Sequence, residues 1–148
     1  MLIRALCALA VGLLVGCSIE VTLADTGDAG KAKSMLERVV VVVKKDQAAA
    51  MKMFTAGSDG FKEGEIYPFC FDLKDGIVMS GQTVGRDIRT FANGGGQLMF
   101  DAAQKPEGVV SEAAYLARKP APANDTPVKK VSVVTRIGNI GCGVGYYP

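Results

Sequence analysis

The most informative feature of this sequence is what it lacks. It contains no histidine in 148 residues. The chain therefore has no imidazole to act as a general base, a metal ligand or a sensor of mild pH changes. Its 17 basic and 15 acidic residues are spread along the whole chain, so no basic block is available to follow a phosphate backbone. We therefore predict that nucleic acid is not a partner.

Other common chemical motifs are also missing. Two of the four cysteines, Cys70 and Cys142, lie far apart without the short spacing of a zinc site. Asp72 and Asp75 lack the alternating ligands of a calcium loop. The glycines at 94–96 lack the lysine and hydroxyl residue of a phosphate-binding loop. The sequence therefore predicts no metal site, no cofactor and no enzymatic activity.

The N-terminus has the pattern of an export signal. One arginine in MLIR precedes the apolar run ALCALAVGLLVGCSI, and Glu20 ends that run before it reaches the length of a membrane span. A small-x-small site before Asp25 predicts a signal peptide at residues 1–24 and a periplasmic or secreted protein. The competing lipobox ending at Cys17 would give a lipoprotein signal at residues 1–16, and only lipidation of Cys17 would anchor the chain to a membrane.

Export also determines the expected role of the cysteines. Cys7 leaves with the signal, and Cys17 leaves with it or carries a lipid. Cys70 and Cys142 then remain as an even pair in an oxidising compartment, where a disulfide is the default. A free buried thiol is the next alternative. A catalytic thiol ranks last because the chain offers it no activating base.

Residues 25–33 are small and polar, which is typical of a tether. From residue 34 to residue 54, apolar residues recur at spacings of three, four and seven, which predicts one long helix. The five β-branched residues at 39–43 favour a strand locally, but the flanking segments SMLER and DQAAAMKMF are strongly helical. Gly57 is a natural helix stop.

The rest of the chain is rich in strand patterns. IYPFCFDLKDGIVM, at residues 66–79, predicts a β-hairpin around an Asp-Gly turn. Residues 83–105 have the mixed pattern of short helices and loops. Three further strands are predicted at 108–118, 128–137 and 139–147, the first two separated by the proline-rich loop KPAPANDTP. The order of elements predicts an α+β domain with one antiparallel sheet.

Four motifs give this sequence a family resemblance. FxxGEIYPFCFDLKDGIVMSG, TVGRDI, QLMFDAA and VSVVTRIGNIGCGVGYY occur in the order found in Cache domains, the PAS-like extracytoplasmic sensor modules of bacterial receptors. The chain thus resembles a single, free-standing Cache domain over residues 34–148. This implies a five-stranded antiparallel sheet with the long N-terminal helix on one face and a helix/loop segment covering the other. Because the first and last strands are neighbours in PAS-like sheets, it also implies that Cys70 lies beside Cys142.

The resemblance further implies that the domain binds a small metabolite such as a carboxylate. Because the receptor form uses a membrane helix and an output domain that this sequence does not carry, we expect it to act through a membrane receptor or another partner. Aromatic residues on these strands are expected to form the core first, and some of them to line a pocket with an arginine and tyrosine hydroxyls. The candidate ligand-binding residues are Tyr67, Phe69, Arg86, Phe100, Tyr115 and Arg118.

The sequence departs from the family pattern near the expected pocket. Many relatives carry a His-Pro pair where this chain has Met-Ser-Gly-Gln at 79–82, and an Asp-Pro-Asp-Gly segment where it has FANGGG at 91–96. An alternative is therefore a structural or interaction lipoprotein that keeps the fold but fills the pocket with Met79, Met99 and Phe100.

Overall fold

The computed structural model of the chain describes residues 27–120 and 125–148. The predicted signal peptide and Cys17 lie outside the described residues. The elements are α1 (Asp28–Lys45), α2 (Gln47–Ala56), β1 (Tyr67–Asp72), β2 (Val78–Ser80), two 3₁₀ turns (Ile88–Thr90 and Ala92–Gly94), α3 (Gly95–Ala103), β3 (Val110–Ala117), β4 (Val128–Ile137) and β5 (Ile140–Tyr146). Among the described residues, no helix has the length and apolar character needed to cross a membrane.

The strands form one antiparallel sheet in the order β2-β1-β5-β4-β3. The first and last strands are therefore neighbours, as the resemblance implied. Helices α1 and α2 cover one face, where Leu36, Val39 and Val133 belong to the same buried core. The 3₁₀ turns and α3 cover the other face, where Phe71, Ile88 and Met99 form a second core. The predicted α+β, PAS-like fold is confirmed.

The N-terminal helical region differs from its prediction in two ways. Helix α1 begins at Asp28, so most of the predicted tether at 25–33 is helical, and Ala32 within it is fully buried. The predicted single helix is also broken at Asp46, whose backbone is extended and whose carboxylate accepts a hydrogen bond from the Ala49 amide at 3.0 Å. Asp46 thus caps a second helix, because its short side chain bonds the free amides of a first turn better than it supports a helix interior. Gly57 ends α2 in a left-handed conformation, as predicted.

The predicted disulfide is confirmed. Cys70 and Cys142 lie opposite each other in the β1–β5 register and are bonded, with both side chains fully buried in the α1/α2 core. The bond therefore joins the first strand of the sheet to the last, 72 residues apart.

Candidate functional site

A cavity of about 300 Å³ lies between the sheet and the segment that covers its second face. Its floor is formed by side chains of β1, β2, β3 and β4, and its roof by the 3₁₀ turns and α3. The volume is at the lower end of the range for small-molecule sites. The described residues that line it are Tyr67, Phe69, Val78, Gln82, Thr83, Ile88, Phe91, Ala92, Met99, Tyr115, Ala117, Arg118, Pro120, Lys130 and Tyr147.

Lys130 is the charged group at the floor of this cavity. It lies on β4, where alternate side chains point to opposite faces, so that Val131 packs against α1 and α2 while Lys130 points into the cavity. Its side chain is only 9% exposed. The neighbouring strand makes room for it with Gly145, where a Cβ atom would lie 2.7 Å from Lys130 Cε.

Two aromatic rings lie near the Lys130 ammonium group, and Glu65 acts on it electrostatically without forming an ion pair. Its Nζ lies 5.2 Å from the centre of the Tyr67 ring and 4.9 Å from that of Tyr147. Within residues 27–120 and 125–148, Lys130 forms no ion pair. Burial lowers the pKa of Lys130, and the negative charge of Glu65 opposes this shift only in part. A buried cation that lies near aromatic rings and forms no ion pair is poorly solvated, so an anion entering the cavity would stabilise it.

Two hydroxyl groups lie near Lys130. The Tyr115 hydroxyl and Ser132 Oγ are 2.9 Å apart and hydrogen-bonded, with either able to donate. Burial raises the pKa of Tyr115 to about 12, although the hydrogen bond to Ser132 acts in the opposite direction. Burial also raises the pKa of Tyr67, and Glu65 adds to that shift. These phenols therefore stay protonated at neutral pH and can donate hydrogen bonds to an acceptor in the cavity.

Much of the remaining lining of the cavity is apolar. Phe69 and Val78 line it from the sheet, and Ile88, Phe91 and Met99 line it from the covering segment. A molecule that fills the cavity would thus meet a charged and hydroxyl-bearing group of residues, several apolar side chains, and the polar residues Gln82 and Thr83. Such a site can orient a small amphipathic ligand.

Four of the six sequence-predicted ligand residues line the cavity. Tyr67, Phe69 and Tyr115 do so from the sheet. Arg118 lies at the rim, where its exposed guanidinium is 3.9 Å from the carboxylate of Asp125. The structure thus brings these four side chains together.

The other two predicted residues do not line the cavity. The Arg86 guanidinium stacks over the Phe91 ring at 4.6 Å, on the covering segment itself. Phe100 packs against Phe71 with ring centres 6.1 Å apart, and the Arg89 guanidinium lies over the Phe100 ring, 5.1 Å from its centre. A residue of the covering segment therefore does not necessarily point into the pocket. This segment also buries some of its side chains elsewhere and exposes others to solvent.

The sequence analysis missed Lys130, Ser132 and Tyr147. The available signal was the alternation in VKKVSVV, where Lys130 and Ser132 interrupt an otherwise apolar strand. Both segments where the sequence departs from the Cache pattern contribute to the cavity. One contributes Gln82, and the other contributes Phe91 and Ala92.

No protein-family model matches the sequence, and no curated protein matches it significantly. Solved structures do match the fold. A methyl-accepting chemotaxis protein from Vibrio parahaemolyticus RIMD 2210633 aligns over 80% of this chain and 87% of its own, with a TM-score of 0.60 and 19% identity. A periplasmic sensor domain of a chemotaxis protein aligns over 79% and 88%, with a TM-score of 0.55 and 21% identity.

A third solved structure of similar fold is a Cache domain by name. It is a Cache chemosensory domain studied for carboxylic acid recognition, and it aligns over 79% of this chain and 86% of its own, with a TM-score of 0.54 and 19% identity. At these identities the likeness concerns the fold. By fold, the chain is a Cache-like domain, as its sequence motifs predicted.

Proposed function

We propose that this chain is an exported sensor-type domain that binds a small organic anion, with a monocarboxylate as the best fit. The observation that carries the proposal is Lys130, a buried lysine that faces a cavity and forms no ion pair among the described residues. Burying a cation without a counter-charge is costly, and a bound anion would offset that cost.

The groups around Lys130 suit a carboxylate. One carboxylate oxygen can accept a charge-assisted hydrogen bond from the ammonium group, and the other can accept one from the Tyr115 hydroxyl while Ser132 donates to that hydroxyl. The cavity volume of about 300 Å³ limits the ligand to a small metabolite, and the apolar lining residues favour a short alkyl or aryl substituent. The carboxylic acid recognition reported for a domain of similar fold supports this ligand class.

The proposal includes an extracytoplasmic location and a partner. A buried disulfide is typical of proteins that fold in an oxidising compartment, and solved structures of similar fold include a periplasmic sensor domain. We propose that a membrane receptor or another protein detects the ligand-bound state.

The intact mass of the protein purified from expressing cells tests export. A chain that begins at Asp25 supports the soluble form, and a lipidated Cys17 supports the anchored form. An uncleaved chain contradicts both.

The alternative of a structural lipoprotein with a filled pocket makes a different prediction about the cavity. Of the three residues proposed to fill it, Met99 lines the cavity, whereas Phe100 packs against Phe71 and Met79 packs against the α1/α2 core. The volume that stays open favours the ligand-binding proposal.

A thermal-shift screen tests the proposed ligand class. The purified protein is heated with small monocarboxylates, with amides and alcohols of the same size, and with amines. We expect a dose-dependent rise in the unfolding midpoint with one or more carboxylates, because a ligand that binds only the folded state stabilises it by mass action. No shift with any carboxylate at millimolar concentration, or a larger shift with the matched amides or amines, would contradict the proposal.

A further inference from the structure

The two edges of the sheet are protected very differently. The edge at β2 is covered by its own chain, because the Val78 amide donates to the Arg86 carbonyl and the Gly85 amide donates to the Val78 carbonyl, both at 2.9 Å. The edge at β3 pairs only with β4 on its inner side. Its outer backbone groups have no partner within residues 27–120 and 125–148. An uncovered edge of this kind is a template for pairing with another strand.

Strand β3 also lacks the usual features that prevent such pairing. It contains no proline or lysine, and its register with β4 is continuous over all eight residues. Its one charged residue, Glu112, lies 3.5 Å from Lys33 of α1. Val110 and Leu116, on the same face of the strand, are 55% and 57% exposed. Natural edge strands are seldom left so long, regular and apolar.

An open groove runs beside this edge, between β3 and α1. Its volume is about 720 Å³, and its apolar lining comes from Leu36, Val40 and Val110. Lys33, Glu37 and Glu112 form its polar rim. The groove therefore offers an apolar side chain a place to bury next to the exposed edge.

The strand is complementary to itself in one register. If two copies of β3 pair antiparallel about Ala113, Val110 of each copy lies opposite Leu116 of the other. The exposed Leu116 then borders the groove of the other copy, beside Val110. Shifting by two residues places Val110 opposite the smaller Ala114 or the charged Arg118 instead, which loses both Val110–Leu116 pairs. One register is thus favoured, because cross-strand apolar pairs stabilise a sheet.

Charge complementarity supports the same arrangement. Lys129 lies directly across from Leu116 on β4, exposed and on the same face. When Leu116 of one copy borders the groove of the other, Lys129 approaches the carboxylates of Glu37 and Glu112 on the groove rim. Within each copy, Lys33 already neutralises Glu112 in part, so the two copies of this carboxylate do not oppose the pairing strongly.

We propose that two copies of this chain associate through β3, with a two-fold axis at Ala113, so that their sheets join into one. Both Val110–Leu116 pairs then form across the interface, and each groove is bordered by Leu116 of the other copy. Such an arrangement is a self-complementary two-fold interface. The interface is separate from the anion-binding proposal, because it uses the face of β3 opposite to Tyr115.

The oligomeric state of the protein purified after expression of the full chain tests this proposal. Sedimentation equilibrium of the wild type is expected to show a dimer in the micromolar range, and Leu116→Lys is expected to weaken dimerisation at least tenfold. The matched control is Val41→Lys, which changes an equally exposed apolar residue on α1. A monomeric wild type, or a dimer that Val41→Lys disrupts and Leu116→Lys does not, would overturn the proposal.

Cysteine cross-linking tests the register. The two native cysteines of the described domain are already bonded to each other, so an introduced thiol reports on the new interface alone. Under mild oxidation, the double variant Val110→Cys/Leu116→Cys is expected to form a covalent dimer. Each single variant is not expected to do so, because the introduced cysteines of the two copies would lie at opposite ends of the paired strands. Absence of the cross-link in the double variant, or equal cross-linking in a single variant, would overturn the Ala113-centred register.

Discussion

Replacing both Cys70 and Cys142 with alanine is expected to lower the free energy of unfolding by about 4 kcal/mol. The bond closes a loop of 72 residues, so it removes a large part of the conformational freedom of the unfolded chain. In the chain-entropy treatment the effect grows with loop length, and this loop spans most of the domain. For a domain of this size we expect the unfolding midpoint to fall by roughly 10 to 20 °C.

The wild-type protein, reduced in denaturant and refolded with reductant, is the control for this experiment. Its thiols retain the side-chain volume at the two positions, both of which are fully buried in the wild type. If the cross-link is responsible, the reduced wild type and the double-alanine variant lose similar stability. A large loss in the variant alone would instead assign the effect to the cavities left by truncation. Two free thiols in denatured, unreduced wild type would contradict the bond itself.

Replacing Lys130 with methionine is expected to weaken the binding of a carboxylate ligand at least about 30-fold. The substitution keeps the length and apolar stem of the side chain but removes its charge, so the ligand would be buried without a counter-ion. Truncating one partner of a buried charge pair costs about 2 to 5 kcal/mol, and 1.4 kcal/mol corresponds to a factor of ten. Isothermal titration calorimetry with the carboxylate that gives the largest thermal shift measures the effect.

Lys129→Met is the matched control. Lys129 is the preceding residue on β4, but it is exposed and points to the opposite face from the cavity. Its replacement removes the same charge from the protein and should leave the ligand affinity unchanged. Equal losses in the two variants would show that net charge, and not the cavity, governs binding.

The stability of the ligand-free protein separates a binding role of Lys130 from a structural one. Burial lowers the pKa of Lys130 in the folded protein below its value in the unfolded chain, so its charged form disfavours folding. The ligand-free wild type therefore gains stability from this group as pH rises from the folded pKa to the unfolded one. Lys130→Met should remove this gain and should not destabilise the ligand-free protein at neutral pH. A large loss of stability would assign Lys130 a structural role.

The strands were predictable from the sequence because their alternation is strong. The prediction for β4 at 128–137 coincides with the observed strand, and the opposite faces of Cys70 and Phe71 follow from the period of two. The break at Asp46 was missed because the apolar spacing continues on both sides of it. The same apolar spacing runs through both helices, and only the extended backbone at Asp46 shows where the first ends and the second begins.

The candidate site was predictable only in part. Tyr67 and Tyr115 were found because they are aromatic residues on predicted strands. Lys130 was missed for a specific reason. The alternation of β4 shows that Lys130 and Val131 point to opposite faces of the sheet. It does not show that the face carrying Lys130 is covered by other residues and shielded from solvent. That depends on the packing of residues 82–103 over the sheet, which involves contacts distant in sequence. The placement of Arg86 was unpredictable for the same reason, since its stacking on Phe91 is a tertiary contact.

The most direct test of the central claim is a crystal structure of the wild-type protein with the carboxylate that gives the largest thermal shift. We expect the ligand in the cavity of about 300 Å³, with a carboxylate oxygen about 2.8 Å from Lys130 Nζ and its apolar part towards Phe91 and Met99. A ligand bound elsewhere on the domain, or one whose carboxylate points away from Lys130, would contradict the claim that this buried lysine defines the ligand class.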